Sequence, residues 1–505
     1  MEAKVGRHPL LYQINTRILL TELSRTLRRP ATLDDVSDAF LDEMRAKGFR
    51  WLWFMGLWQT GEAARAVSLA NPDLRQAYSL ALPDFRDEDI CGSPFAIKAY
   101  QAHSDFGGNE ALVRLRERMS RRGLKLLADF VINHCAPDHP WVATHPEYFI
   151  RGDEDDLARE PGNWARLSPG DGQAETILAF GRDPYFPGWS DTLQFNLRHA
   201  GCRAAMADAL LDIAGLCDGV RCDMAMLAQP DIFLETWGVR ALPNDGTAPA
   251  GGPFWNGAIA RVKSDHPHFL FVAEVYWDRE WELQQEGFDY TYDKRLYDRL
   301  KAGSGRAVRE HLLADPDFRN RSLRFLENHD ESRAAEIFPD AMHRAAAVIA
   351  FFVPGLRLFH DGEFPGRRIH ASVHLRRRPD EAAHPEWERF YACLLHCLRM
   401  NEIRDGLWSP AQLLPASEDN PSWDQFVAFT WRKQEGSAVL AVVNYGPHRG
   451  QCFTRFDTED LGPGKIRLRD LLSDATYAYE TSELALRGVY FDMPGWGYHL
   501  FETGA

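Results

Sequence analysis

Apolar residues fall along this chain in short unbroken runs, separated by longer stretches with helical spacing. The run at 10–15, LLYQIN, predicts a first strand, and the stretch opened by Thr32-Leu33-Asp34-Asp35 and closed near Lys47-Gly48 predicts a helix. Residues 49–58 are almost wholly apolar. A strand without alternation belongs to a parallel sheet covered by helices. The rhythm continues with a helix over 109–122, a strand over 124–131, a helix over 204–214 and a strand over 219–223. The second half repeats it, with strands over 269–274, 288–290, 322–327 and 356–360 and a helix over 341–352. Eight strands in βα repeats predict an α/β fold, a closed (β/α)8 TIM barrel rather than an open doubly wound sheet.

Two regions break this rhythm. Residues 135–196 are rich in Pro, Gly, Trp and acidic residues and are too long for an ordinary βα loop, so we read them as a domain inserted after strand three. From about 401 onward helical spacing gives way to alternating runs, 426–431, 438–444, 488–491 and 498–501, which predict a C-terminal antiparallel β-sandwich. The expected division is therefore a barrel of 1–134 and 197–404, an insertion of 135–196 and a sandwich of 405–505.

Composition narrows the function classes. With 45% hydrophobic residues the chain can build a large core, and a net charge of -15 argues against nucleic acid or an anionic membrane as partner. A neutral polar substrate fits; oligomeric state is not legible. The N-terminal segment lacks the apolar core of a signal peptide and no run of 18 apolar residues occurs, so a cytoplasmic protein is expected. The eight cysteines follow neither zinc nor disulfide spacing, and Cys393 and Cys397 lie one helical turn apart where packing explains them.

The strand ends carry the chemistry. Arg221 and Asp223 stand at i and i+2 in Gly219-Val220-Arg221-Cys222-Asp223, so alternation sends both to one face, where a guanidinium can hold a carboxylate ionised. Alone, the pair reads equally well as a structural ion pair. Strand three ends Asp129-Phe130-Val131-Ile132-Asn133-His134, strand five Glu274-Val275-Tyr276-Trp277, and strand seven Glu327-Asn328-His329-Asp330. Gathering acids at one rim is costly unless one holds a proton, which suits glycosidic cleavage: one acid protonates the leaving oxygen while an anion attacks.

These four segments, in this order, resemble the signature regions of the α-amylase family, glycoside hydrolase family 13. The likeness extends to Trp189-Ser190-Asp191-Thr192-Leu193-Gln194-Phe195-Asn196 and to the strand-eight ending Leu356 to Glu363. The resemblance implies a retaining mechanism on α-glucosidic bonds, with Asp223 as nucleophile, Glu274 as acid/base and Asp330 as third acid. It further implies sugar contacts from Arg221, His134, His329, Asp129, Tyr276 and Trp277, stacking by Phe95 where a tyrosine is usual, and a contribution from Arg333 like that in exo-acting relatives. A retaining pair of carboxyls lies about 5 Å apart.

Departures from the family pattern point to the leaving-group side. A Lys-His pair common after the nucleophile is here Met226 and Leu227. No cofactor is expected; calcium is the one candidate, since Asn133 matches a frequent ligand position and Asp153 to Asp156 offer oxygens, but the histidine partner is replaced by Leu227. Tyr185, Phe186 and Trp189 offer a sugar-stacking wall or a pinned loop. The reading is a hydrolase of short α-glucans or α-glucosides. The alternatives are a transglycosylase or phosphorylase with the same intermediate and a non-catalytic scaffold relative, the last disfavoured by the three retained acids.

Overall fold

The computed structural model describes residues 7–168, 175–433, 438–456 and 464–504; part of the N-terminal segment and part of the 135–196 insertion thus lie outside the described residues. Eight parallel strands close a barrel: β1 (Leu10–Asn15), β2 (Trp51–Met55), β3 (Lys125–Val131), β4 (Gly219–Asp223), β5 (Leu270–Ala273), β6 (Tyr290–Tyr292), β7 (Ser322–Arg324) and β8 (Leu356–His360). Each pairs with its sequence neighbour, and β8 returns to β1 through Leu10 opposite Arg357. All five residues of β2 and of β4 are buried, as strands sandwiched between a filled interior and a helical coat must be.

The departures from expectation have local causes. The apolar run at 49–58 is not one strand. Gly56 turns the chain at φ 76°, its N–H bonds Asp129 Oδ2 at 2.6 Å, and Trp58–Thr60 then pairs antiparallel with Ile97–Ala102 outside the barrel. Strand six starts two residues late, because Asp289 is spent accepting the Phe271 N–H at 2.8 Å and pairing with Lys263. Strand seven stops at Arg324, leaving 325–330 irregular and free to carry acids into the barrel mouth. A helix not expected, Thr16–Leu27, is started by the Asn15 side chain, which accepts from the Arg17 and Ile18 N–H groups at 3.1 and 3.2 Å.

The segment 135–196 leaves and returns on adjacent strands, His134–Cys135 against Leu193–Gln194, and holds a hairpin of Trp164–Leu167 with Thr176–Ala179. After Asn401–Asp405 the chain forms a six-stranded and a three-stranded antiparallel sheet. Alternation in Phe426–Arg432 and Ala438–Asn444 divides the load. Phe426, Ala428, Leu440 and Val442 pack on Cys452, Phe491 and Met493 of the smaller sheet, while Val427, Phe429, Trp431, Val439 and Ala441 join the barrel core. Trp431 Nε1 bonds Phe352 O at 2.6 Å across that seam. No described helix is long and apolar enough to cross a membrane.

Candidate active site

Strand β4 supplies the centre. Its alternation brings Arg221 and Asp223 to one side, both buried, with Arg221 Nη1 donating to Asp223 Oδ1. The other nitrogen, Nη2, lies 2.8 Å from Glu274 Oε2 and 3.9 Å from Asp330 Oδ2. One guanidinium therefore faces three carboxyls from three strand ends. Aromatic rings of Trp53, Phe95 and Tyr292 surround it at 5.2 to 5.8 Å, and Tyr292 Oη accepts from its Nε at 3.4 Å.

Glu274 is further held by the Met224 N–H at 2.7 Å and by the Tyr276 hydroxyl at 2.9 Å. Burial raises its carboxyl above the usual range and Asp223 adds to this, while Arg221 opposes. Asp330 is pushed up to about 8, first by withdrawal from water and then by Glu274 and Asp223 against Arg221. Its side chain is still 43% exposed, so repulsion by its neighbours is the part that persists in an open cleft. Two carboxyls biased toward holding a proton thus stand beside one guanidinium, an arrangement that general acid catalysis can use.

His329 is fixed from below: Gln13 Nε2 lies 2.7 Å from its Nδ1, and since the amide can only donate, Nε2 carries the proton and faces Asp330 Oδ2 at 3.1 Å. Burial and then Arg221 push its pKa far down, keeping the ring neutral. Phe95 packs at 5.3 Å from this ring, and His134 is buried at 5.1 Å from Trp189. Trp277 and Asp278, both at positive φ (60° and 66°), strain the turn after Glu274 so that the Trp277 ring meets Tyr185 of the insertion edge-on at 5.0 Å. Tyr185 and Phe186 are 61% and 65% exposed, which makes this rim of the cleft aromatic and open.

The structure thus brings together Asp223, Glu274, Asp330, Arg221, His329, Phe95 and Tyr276, with His134 and Trp277 at the edges. Two expected sugar contacts have other partners in the structure. Asp129 is fully buried, and its oxygens are taken by Trp53 Nε1 at 2.8 Å and Gly56 N at 2.6 Å, so it braces strand two. Arg333 is also buried, bonded to Glu327 Oε1 at 2.5 Å, His360 Nδ1 at 2.9 Å and Asp361 O at 3.0 Å. Burial pushes Glu327 up, but Arg333 and His360 outweigh it and hold it at about 2. Arg333 is committed to that acid beneath the site.

Met226 and Leu227 are buried in the turn after Met224, whose φ of 41° aims its N–H at Glu274. Gln13 and Tyr292 escaped the sequence reading. Gln13 had a signal, being an amide set inside a largely apolar strand. The candidate calcium oxygens have protein partners: Asn133 Oδ1 accepts from Gln194 at 2.9 Å, and Asp153 and Asp156 pair with Arg240 and Arg159. Among the described residues no three His, Cys, Asp or Glu side chains gather to share a metal.

The role of Asp129 is open to measurement. Its carboxyl is pushed up to about 6, chiefly by burial, against the Gly56 N–H and Arg221. Asp129→Ala leaves two buried donors unpaired and is expected to cost about 2–4 kcal/mol in urea unfolding with KM nearly unchanged. A large KM effect at wild-type stability would return Asp129 to the substrate.

Residues 95–369 match the family model described as alpha amylase, catalytic domain. The α-amylase MalA of Haloarcula japonica is 28% identical over 395 residues, covering 76% of this chain and 52% of that protein. An α-1,4-glucan:maltose-1-phosphate maltosyltransferase of Burkholderia pseudomallei is 26% identical over 463 residues, covering 88% of this chain and 34% of its own length. The chain therefore spans about half or less of the length of these curated relatives. The noncanonic maltogenic α-amylase AmyB of Thermotoga neapolitana shares the fold with a TM-score of 0.67 at 18% identity, covering 99% of both chains.

Proposed function

The chain belongs to the α-amylase family, and from that premise we propose that it is a retaining enzyme acting on α-glucosidic bonds of short α-glucans or α-glucosides. The observation that carries this reading is the Arg221 fork. With Asp223 on Nη1 and Glu274 on Nη2, one guanidinium holds both carboxyls, which supports the close pair that a retaining enzyme uses. Asp223 attacks the anomeric carbon and forms a β-glycosyl ester as the glycosidic bond breaks. Glu274, its carboxyl raised by burial, gives its proton to the leaving oxygen and then takes one from the incoming hydroxyl. Asp330 and the Nε2–H of His329 face the same space and hold sugar hydroxyls. Because the acid must be protonated, activity falls on the alkaline side as Glu274 ionises.

A second reading keeps the intermediate but lets a sugar hydroxyl or phosphate intercept it; the exposed Tyr185 and the adjoining Trp277, an aromatic rim suited to an acceptor sugar, favour it. Incubation with maltose, maltooligosaccharides, sucrose and 4-nitrophenyl α-glucoside, with and without phosphate, separates the two. Product NMR should reveal the α anomer first. A β product would mean inversion, and absence of all turnover would favour a scaffold. We place the reaction in the cytoplasm, a reading supported by eight cysteines that are all free thiols.

A further inference from the structure

Apart from the reaction centre, we infer that a cavity of about 530 Å³ beside the first helix, Thr16–Leu27, is a second site that binds a small sugar phosphate. It is walled chiefly by that helix, by residues 60–65 and 103–106, and by Arg376 from the loop after β8. None of Asp223, Glu274, Asp330, His329 or Phe95 lines it. Three guanidiniums, those of Arg17, Arg65 and Arg376, line this one space in a chain whose net charge is -15.

The charge that calls for a ligand is on Arg17. It is only 6% exposed, and its terminal nitrogens bond neutral groups, Nη1 to Gly92 O at 2.6 Å and Nη2 to Thr60 Oγ1 at 2.8 Å. No described carboxylate pairs with it, although a buried charge ordinarily has a counter-charge. Arg376 makes no side-chain hydrogen bond or ion pair among the described residues, and Arg65 uses only its Nε, on Ile90 O at 2.8 Å. The two acids at the rim, Glu62 and Asp105, are exposed and pair with none of the three. A phosphate group, with its charge and several acceptor oxygens, matches such a set of donors.

The rest of the lining selects what the phosphate is attached to. The cavity is far larger than one phosphate group and has the size of a small-molecule site. His103 Nδ1 accepts the Asp105 N–H at 3.2 Å, so the neutral ring carries its proton on Nε2 and adds a donor. Burial lowers the His103 pKa, and Arg17 and Arg376 add to this against Asp105 and Glu62, which sets all four charges around the one imidazole. Glu62 and Asp105 offer acceptors, and Thr21 a hydroxyl, to the hydroxyls of a sugar. Phe106 is the one carbocyclic ring in the lining and is 7% exposed, so a nucleobase finds no open face to stack on. The phosphate therefore lies against the guanidiniums and the sugar toward the acids.

Titration calorimetry of the full chain with glucose 1-phosphate, glucose 6-phosphate, inorganic phosphate and glucose reads the site. One of the two esters is expected to bind at least about 10-fold tighter than inorganic phosphate, because hydroxyl contacts add to the same charge-assisted bonds. Equal affinity for inorganic phosphate, or no binding of either ester at millimolar concentration, overturns the assignment. Arg376→Ala removes an exposed side chain that has no partner to lose, so the variant is expected to melt like wild type and keep its affinity for glucose. Its affinity for the ester is expected to fall at least about 10-fold. Unchanged ester affinity, or an equal loss for glucose, overturns the site. In crystals soaked with the tighter ester, the phosphate is expected within hydrogen-bond reach of Arg17 and Arg376; an ester found only beside Asp223 overturns it. Calorimetry and crystal need no turnover, so failure of the proposed reaction and failure of this site are distinguished.

Discussion

Asp223→Asn is expected to lower kcat on the best α-glucoside by about 10⁴-fold or more while the protein still folds, because loss of the nucleophile removes a step that no neighbour replaces. The substitution changes almost no volume at a buried position, and the amide oxygen can still accept from Arg221 Nη1. A secondary effect separates this loss from general damage. Asp223 is one of the groups raising Glu274, so removing its charge should lower the Glu274 pKa, and a carboxyl NMR titration of the folded variant should move to lower pH. Turnover within about 10-fold of wild type would end the assignment of Asp223 as nucleophile. An unmoved Glu274 titration would mean that the two acids are not coupled.

How much of this was legible in the sequence depended on whether the signal was local. Strands β1, β4 and β8 were readable to their ends, since each is a short apolar-rich run closed by a polar residue, Asn15, Asp223 and His360. Strands β6 and β7 were misplaced because Asp289 and Glu327 look like strand residues or strand ends, yet are tied to tertiary partners. The same difference sorts the site. Arg221 and Asp223 declare their pairing through period-two spacing, and the three acids follow from strand-end position.

Asp129 and Arg333 resembled site residues equally well, and nothing local reveals that Trp53, Gly56 and Glu327 already occupy them. Asp191 and His374 are the converse. They are far apart in sequence and unremarkable singly, and only the fold brings them within 3.8 Å. Local pattern marked the candidate acids, whereas the partners that orient or occupy a buried side chain are tertiary properties.

Arg221→Met probes the one group on which all three acids depend. Methionine can fill the space among Trp53, Phe95 and Tyr292 but leaves Glu274 without its cation, and breaking a buried ion pair of this kind costs about 3–5 kcal/mol. The cost must depend on pH, and its sign is fixed. Arg221 lowers the pKa of both Glu274 and Asp330, so its loss raises both further above their unfolded values. A group raised in the folded state contributes fully below its unfolded pKa, about 4, and that contribution is lost as pH rises through the folded value. The stability gap between variant and wild type should therefore be small near pH 4, open as Glu274 ionises in the wild type, and widen further above about pH 8, where Asp330 titrates. Urea unfolding across this range would read it directly, and parallel curves would refute the coupling. Arg221→Lys retains charge but has a single ammonium in place of the fork, so it should recover stability near neutrality without recovering turnover. If lysine restored both, positive charge alone would suffice, and the two-nitrogen geometry that sets Asp223 beside Glu274 would not be what the chemistry requires.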